Sequence, residues 1–153
     1  MIARKLKEFL DQHQVKYVTI THSPAYTAQE VAASAHVPGR DMAKTVIIKL
    51  GDQFAMAVLP ANRKVVLHDL VELTGVEDVR FATEEEFASR FPDCEVGAMP
   101  PFGNLYGMDV YVAPALAASE YIAFNAGSHT EVIRMPYADF ARLVQPRVAS
   151  FTT

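Results

Sequence analysis

Residues 41–50, DMAKTVIIKL, set the first chemical question. If they form a strand, alternation puts Lys44, Val46, Ile48 and Leu50 on one face and Thr45, Ile47 and Lys49 on the other. Lys49 sits at the far end and can snorkel to water. Lys44 heads an apolar row, where an ammonium must reach water or meet an anionic or carbonyl partner. Two readings follow: a snorkelling or ion-paired lysine at a strand end, or a cation held for a ligand.

Glycine-containing segments supply the second kind of chemistry. In GAMPPFG, residues 97–103, backbone N–H groups can aim at a carbonyl or a developing oxyanion. Asn125 precedes Gly127-Ser128-His129 in a second such turn. Taken alone, each segment reads first as an ordinary connection between strands. Ser128 beside His129 suggests a nucleophile and its base, but neighbours in a strand point apart and G-x-S-x-G is absent, which argues against a serine hydrolase. Cys94 lies between Asp93 and Glu95, acids that raise a thiol pKa and disfavour the thiolate a nucleophile needs. His22, His68 and His129 have no metal-ligand spacing, and neither CxxC nor HExxH occurs, so no metal or other cofactor is expected.

The elements that must position these groups are legible in outline. Ile2, Leu6, Phe9 and Leu10 recur at helical spacing and predict an amphipathic helix over 2–13, followed by a short strand over 17–21. Thr27 and Glu30 form a T-x-x-E capping box that opens a second helix, stopped by Pro38-Gly39. The Lys44 strand turns at Gly51-Asp52 into an antiparallel partner over 54–59. Val66, Leu67, Leu70 and Leu73 fit a helix ending at Gly75, and Thr83 with Glu86 caps another short one ending near Pro92. Residues 95–104 read as an ordered loop; strands follow at 108–112, 121–125 and 130–135, then a helix begun by Pro136. Helices interleaved with mostly antiparallel strands predict a single α+β domain over 1–153 with one curved, mixed sheet.

Half of the chain is apolar, enough for one core and too little for two ordinary domains. No apolar run approaches the about 18 residues of a membrane span, and MIARKLKEFLDQH lacks a signal-peptide core, so a cytoplasmic protein away from membranes is expected. A formal net charge of −4 disfavours avid, non-specific binding to DNA or other nucleic acid. Basic residues nevertheless gather in the N-terminal half, including Arg40, Lys44, Lys49, Arg63 and Lys64. The single cysteine excludes an intramolecular disulfide.

Three segments, AKTVIIK at 43–49, VGAMPPFGN at 96–104 and FNAGSHTEVIRM at 124–135, together resemble the YbaK/ProX family. Its members are free-standing aminoacyl-tRNA deacylases similar to the editing insertion domain of bacterial prolyl-tRNA synthetase. The resemblance implies a partly barrel-like sheet surrounded by helices. It implies that Lys44 contacts the terminal adenosine or the aminoacyl ester, and that Gly97 and Pro101 match a G-x-x-x-P element. The loop through Met99, Pro100, Phe102 and Gly103 would then wall the aminoacyl group, while Gly127, Ser128 and His129 shape a small pocket. Some members carry Asn directly after the lysine; here it is Thr45, which leaves the substrate subgroup open.

What the resemblance implies chemically is water attack on an ester that is already activated, with N–H groups of the 97–103 loop stabilising the oxyanion. Selection would be steric, with alanine on the proline tRNA as first expectation and cysteine or serine as alternatives. The partners implied are a mischarged tRNA acceptor end and, transiently, prolyl-tRNA synthetase. A nucleotide or small-molecule binding module without catalysis, and a domain that only docks on another protein, are the competing readings.

Overall fold

The Gly51-Asp52 turn makes the hairpin at the centre of the sheet. In the computed structural model, which describes residues 2–153, strand β2 (Met42–Leu50) pairs antiparallel with β3 (Gln53–Pro60) from Ala43–Pro60 to Leu50–Gln53. Gly51 supplies the positive φ of 62° that closes the turn. The sheet order is β1 (Val18–Thr21), β7 (Glu131–Pro136), β6 (Tyr121–Asn125), β2, β3, β5 (Asp109–Val112), β8 (Arg147–Val148), and β4 (Val79–Phe81) pairs with β2 off this path. It is a mixed, open sheet of eight strands among the described residues, mostly antiparallel, with β2–β6, β3–β5 and β5–β8 parallel. The α+β expectation holds.

Alternation on β2 sorts its side chains as the pattern requires. Ala43 and Ile47 face a core shared with Phe102, Phe124, Phe140 and the buried Leu6 and Leu10 of helix α1 (Arg4–Gln12). On the opposite face, Met42 packs with Val31 and Ala32 of α2 (Ala28–Ser34), and Ile48 packs with Leu70 of α3 (Leu67–Thr74) and with Phe151. Lys44 therefore emerges between two apolar clusters, one under α2 and one under α3.

Both capping boxes form. Glu30 N–H donates to Thr27 Oγ1 at 3.1 Å and Thr27 N–H to Glu30 Oε1 at 3.2 Å, and Thr83 and Glu86 repeat the pattern at α4 (Glu84–Phe87). Helix α2 ends earlier than Pro38-Gly39 predicts, because His36 turns left-handed with φ 58°. Two other helices, α5 (Pro114–Ala117) and α6 (Tyr137–Val144), flank β6 and β7, the latter after Pro136 as expected. No described helix is long and apolar enough to cross a membrane.

Candidate active site

The parallel ladder between β2 and β6 stops at Ala43–Phe124, one residue before Lys44 and Asn125 on the two strands. Beyond that point β2 continues with β3, while β6 turns into β7 through residues 126–130. Lys44 leaves the sheet just past the end of that ladder. Crevices at the carboxyl end of a parallel strand are where α/β sheets commonly bind ligands.

Lys44 is half-buried, and its Nζ donates to the carbonyl oxygen of Ala61 at 3.4 Å, a long contact. Among the described residues no carboxylate pairs with it. It lines a hollow of about 220 Å³ with Thr27, Gln29, Asn62, Arg63 and Lys64. Burial, and then the charge of Lys64, hold the Lys44 pKa below the ordinary lysine value.

The two glycine turns meet each other. Glu95 N–H donates to Gly127 O at 2.7 Å, Gly127 N–H to Ala98 O at 2.9 Å, and His129 N–H to the Glu95 carboxylate at 3.2 Å. The His129 imidazole donates from Nε2 to Val96 O at 2.9 Å, which leaves Nδ1 as a buried nitrogen without a partner among the described residues. His129 therefore holds the start of the 97–103 loop. Gly127 is dictated by close approach, since a Cβ there would lie 2.8 Å from the Ala3 Cβ, at a φ of 104°. Ser128 turns inward and its Oγ lies 3.3 Å from Thr130 Oγ1.

Within the loop, Gly97 N–H is directed at Met99 Sδ and Ala98 N–H at Glu95 O. Pro100 and Pro101 are buried and carry no N–H. Among the described residues, Met99, Phe102 and Gly103 keep backbone N–H groups with no protein acceptor. Phe102 is fully buried, edge-on to Phe140 at 5.4 Å, so its ring anchors the loop in the core. Gly103 is buried against Met108 O, where a Cβ would lie at 2.4 Å, and its role in the fold is close packing.

The structure thus brings Gly97, Met99, Gly127, Ser128 and His129 into one wall, while Lys44 lines a hollow that residues 97–103 do not border. Thr45 pairs with Val58 on the face away from Lys44. The link between hollow and wall is Tyr26, which the sequence reading passed over. Its ring centroid lies 4.8 Å from that of His129, and its neighbour Thr27 lines the hollow. Tyr26 is 70% exposed. An aromatic immediately before a capping box was its one signal, and periodicity does not weight such a position. Cys94 is partly buried and bonded to Tyr106; burial, with Asp93 adding to it, pushes its thiol pKa up to about 12.

An open mixed sheet, a half-buried lysine beside a hollow and a backbone wall of two glycine turns characterise this α+β domain. The model of the aminoacyl-tRNA editing domain matches residues 22–143, and the chain belongs to that family. It is an aminoacyl-tRNA deacylase by that membership, which upholds the resemblance read from its three segments. It is 25% identical over 153 residues to the multifunctional Ser/Thr-tRNA deacylase ProXp-y of Escherichia coli strain K12, covering 97% of this chain and 91% of that one. It is 22% identical over 148 residues to the prolyl-tRNA editing protein ProX of Acetoanaerobium sticklandii, covering 93% and 90%. The fold matches a crystal structure provisionally described as a trans-editing enzyme for prolyl tRNA synthetase, with TM-score 0.84, 19% identity and coverage of 99% and 96%.

Proposed function

We propose that this chain clears small amino acids from mischarged tRNA in trans, with alanine on the proline tRNA as first substrate and serine or cysteine as alternatives. The observation that carries this reading is the wall made by residues 95–98 and 127–129, held by three backbone N–H bonds and the His129–Val96 bond. A wall of main chain, two glycines and a locked imidazole suits a small side chain and rejects a larger one by clash.

In the reaction, water adds to the ester carbonyl and the bond to the ribose oxygen breaks, with the proton passing to that leaving oxygen. The backbone N–H groups of Met99 and Gly103 are the donors proposed for the developing oxyanion. No covalent enzyme intermediate is needed, in keeping with a raised Cys94 pKa and a Ser128 hydroxyl turned toward Thr130. Lys44 holds the terminal nucleotide. Contacts confined to the acceptor end give modest affinity at a net charge of −4, and a transient complex with prolyl-tRNA synthetase would add tRNA selectivity.

The test is hydrolysis of proline tRNA charged in turn with alanine, serine, cysteine, threonine and proline. Loss of alanine with sparing of proline is expected. Esters that all decay at the protein-free rate would overturn the reading and leave a binding module.

A further inference from the structure

Five cations among the described residues pair with a carboxylate, Arg142 with Asp139 among them, while Lys5, Arg90 and Arg134 lie over aromatic rings. Arg4 pairs with Glu8, Lys7 with Asp11, and Lys49 and Arg80 share Glu86 at 3.3 and 2.7 Å. The hollow beside Lys44 holds none of these pairs: Lys44, Arg63 and Lys64 line it, and among the described residues no Asp or Glu does. Arg63 is occupied, donating to Thr153 O at 2.9 Å. The Lys64 main chain is held on both sides, its N–H on Thr153 Oγ1 at 3.2 Å and its carbonyl accepting from Thr153 N–H at 2.9 Å. Its ammonium has no protein acceptor among the described residues.

Two ammonium groups thus converge on one concavity in a chain of net charge −4, with only a long contact to Ala61 O between them and water. Burial first, and then the Lys64 charge, lower the Lys44 pKa. Like charges held together this way are an unfavourable arrangement that an anion between them would reverse.

We propose that Lys44 and Lys64 form a phosphate subsite for the last phosphodiester of an RNA 3′ end, with Lys64 a positioning residue for the editing reaction. This rests on the reading of the ligand as an aminoacyl-tRNA acceptor end. The polarity of the site also orients that ligand. An aminoacyl ester carries a cationic α-ammonium, which the two lysines repel and the Glu95 carboxylate, in the wall beside His129, attracts. The phosphate therefore sits at the lysines and the amino acid at the glycine wall. Tyr26, exposed between them, offers a face on which the terminal base can stack.

The experiment compares cytidylyl-(3′→5′)-adenosine, which carries the phosphodiester, with adenosine, which does not, by NMR titration of wild type, Lys64→Ala and Lys64→Arg. Lys64→Ala should weaken the dinucleotide about tenfold, as expected for losing a charged hydrogen bond, without changing adenosine binding. Lys64→Arg should restore it. In deacylation, Lys64→Ala should raise KM by a similar factor with kcat within about twofold, and should lower the salt slope by about 0.7, one phosphate contact on a single strand. Equal dinucleotide affinity in wild type and Lys64→Ala overturns the subsite. So does inorganic phosphate binding as tightly as the dinucleotide, which would mark a site for free anions. A protein that binds the dinucleotide through Lys64 but deacylates nothing keeps the subsite and loses the editing reading; an active enzyme indifferent to Lys64 does the reverse.

Discussion

The imidazole of His129 is committed to Val96, with Nε2 donating to that carbonyl oxygen across 2.9 Å and Nδ1 buried without a partner among the described residues. On the proposed reading, a ring so placed acts through the loop it holds. His129→Ala should cost about 1–2 kcal/mol, the sum of a neutral hydrogen bond and an aromatic contact to Tyr26, and should lower kcat by loosening the loop. His129→Gln, which keeps a donor near the same reach, should recover most of both. Thermal melts and single-turnover rates on one preparation decide; an inactive His129→Gln of normal stability would point to direct chemistry.

Lys44 separates stability from function. Lys44→Met removes a desolvated cation that faces another lysine, so the melting temperature should hold or rise while activity collapses by at least about a hundredfold. A melting temperature that fell together with activity would make Lys44 a structural residue.

The lowered Lys44 pKa has a pH signature. Between that lowered value and the ordinary lysine value, the unfolded chain binds more protons than the folded one. Folding stability from this group therefore rises with pH across the window, the cost of the buried charge being present in full below it. Anion binding runs the other way: it needs the charged form, so affinity should fall as pH rises through the lowered value. Calorimetry in two buffers should record proton uptake on binding there. No uptake, with unchanged affinity across the window, would exclude Lys44 from the anion site.

The two loop glycines should fail differently. A Cβ on Gly103 would lie 2.4 Å from Met108 O, main chain that cannot give way, so Gly103→Ala should destabilise by about 1–3 kcal/mol. At Gly97 a Cβ would meet His129 Cε1 at an ordinary 3.5 Å, but φ is +87° at an exposed position. Gly97→Ala should therefore change kcat more than the melting temperature. Denaturant midpoints measured beside rates check the contrast.

Cys94 should be chemically quiet. With its thiol pushed up to about 12, alkylation by iodoacetamide near pH 8 should run far slower than for a free thiol, and Cys94→Ala should deacylate at the wild-type rate. A dead Cys94→Ala of normal stability would reopen covalent catalysis.

Much of the architecture was legible because it is local. The T-x-x-E boxes at Thr27 and Thr83, the Gly51 turn and the 121–125 strand depend on neighbours within a few residues, and all form. Three elements were missed for the same reason. β4 and β8 are three and two residues long and α5 is one turn, too short to print a period, and tertiary pairing alone makes them. The residue types at 95–104 mark an ordered loop and not its geometry, since its shape comes from Phe102 in the core and from bonds to a turn some thirty residues away.

By itself, the sequence determined that Lys44 heads an apolar face, because strand alternation is a property of the backbone, and it put glycine at 97 and 127, where the chain takes a positive φ. Tertiary structure decided what those residues meet. The β2–β6 ladder stops just short of Lys44, the 60–64 turn brings Lys64 to it, and Tyr26 stands between hollow and wall. Distances between residues far apart in the chain are set by how the sheet packs, and no local pattern encodes them.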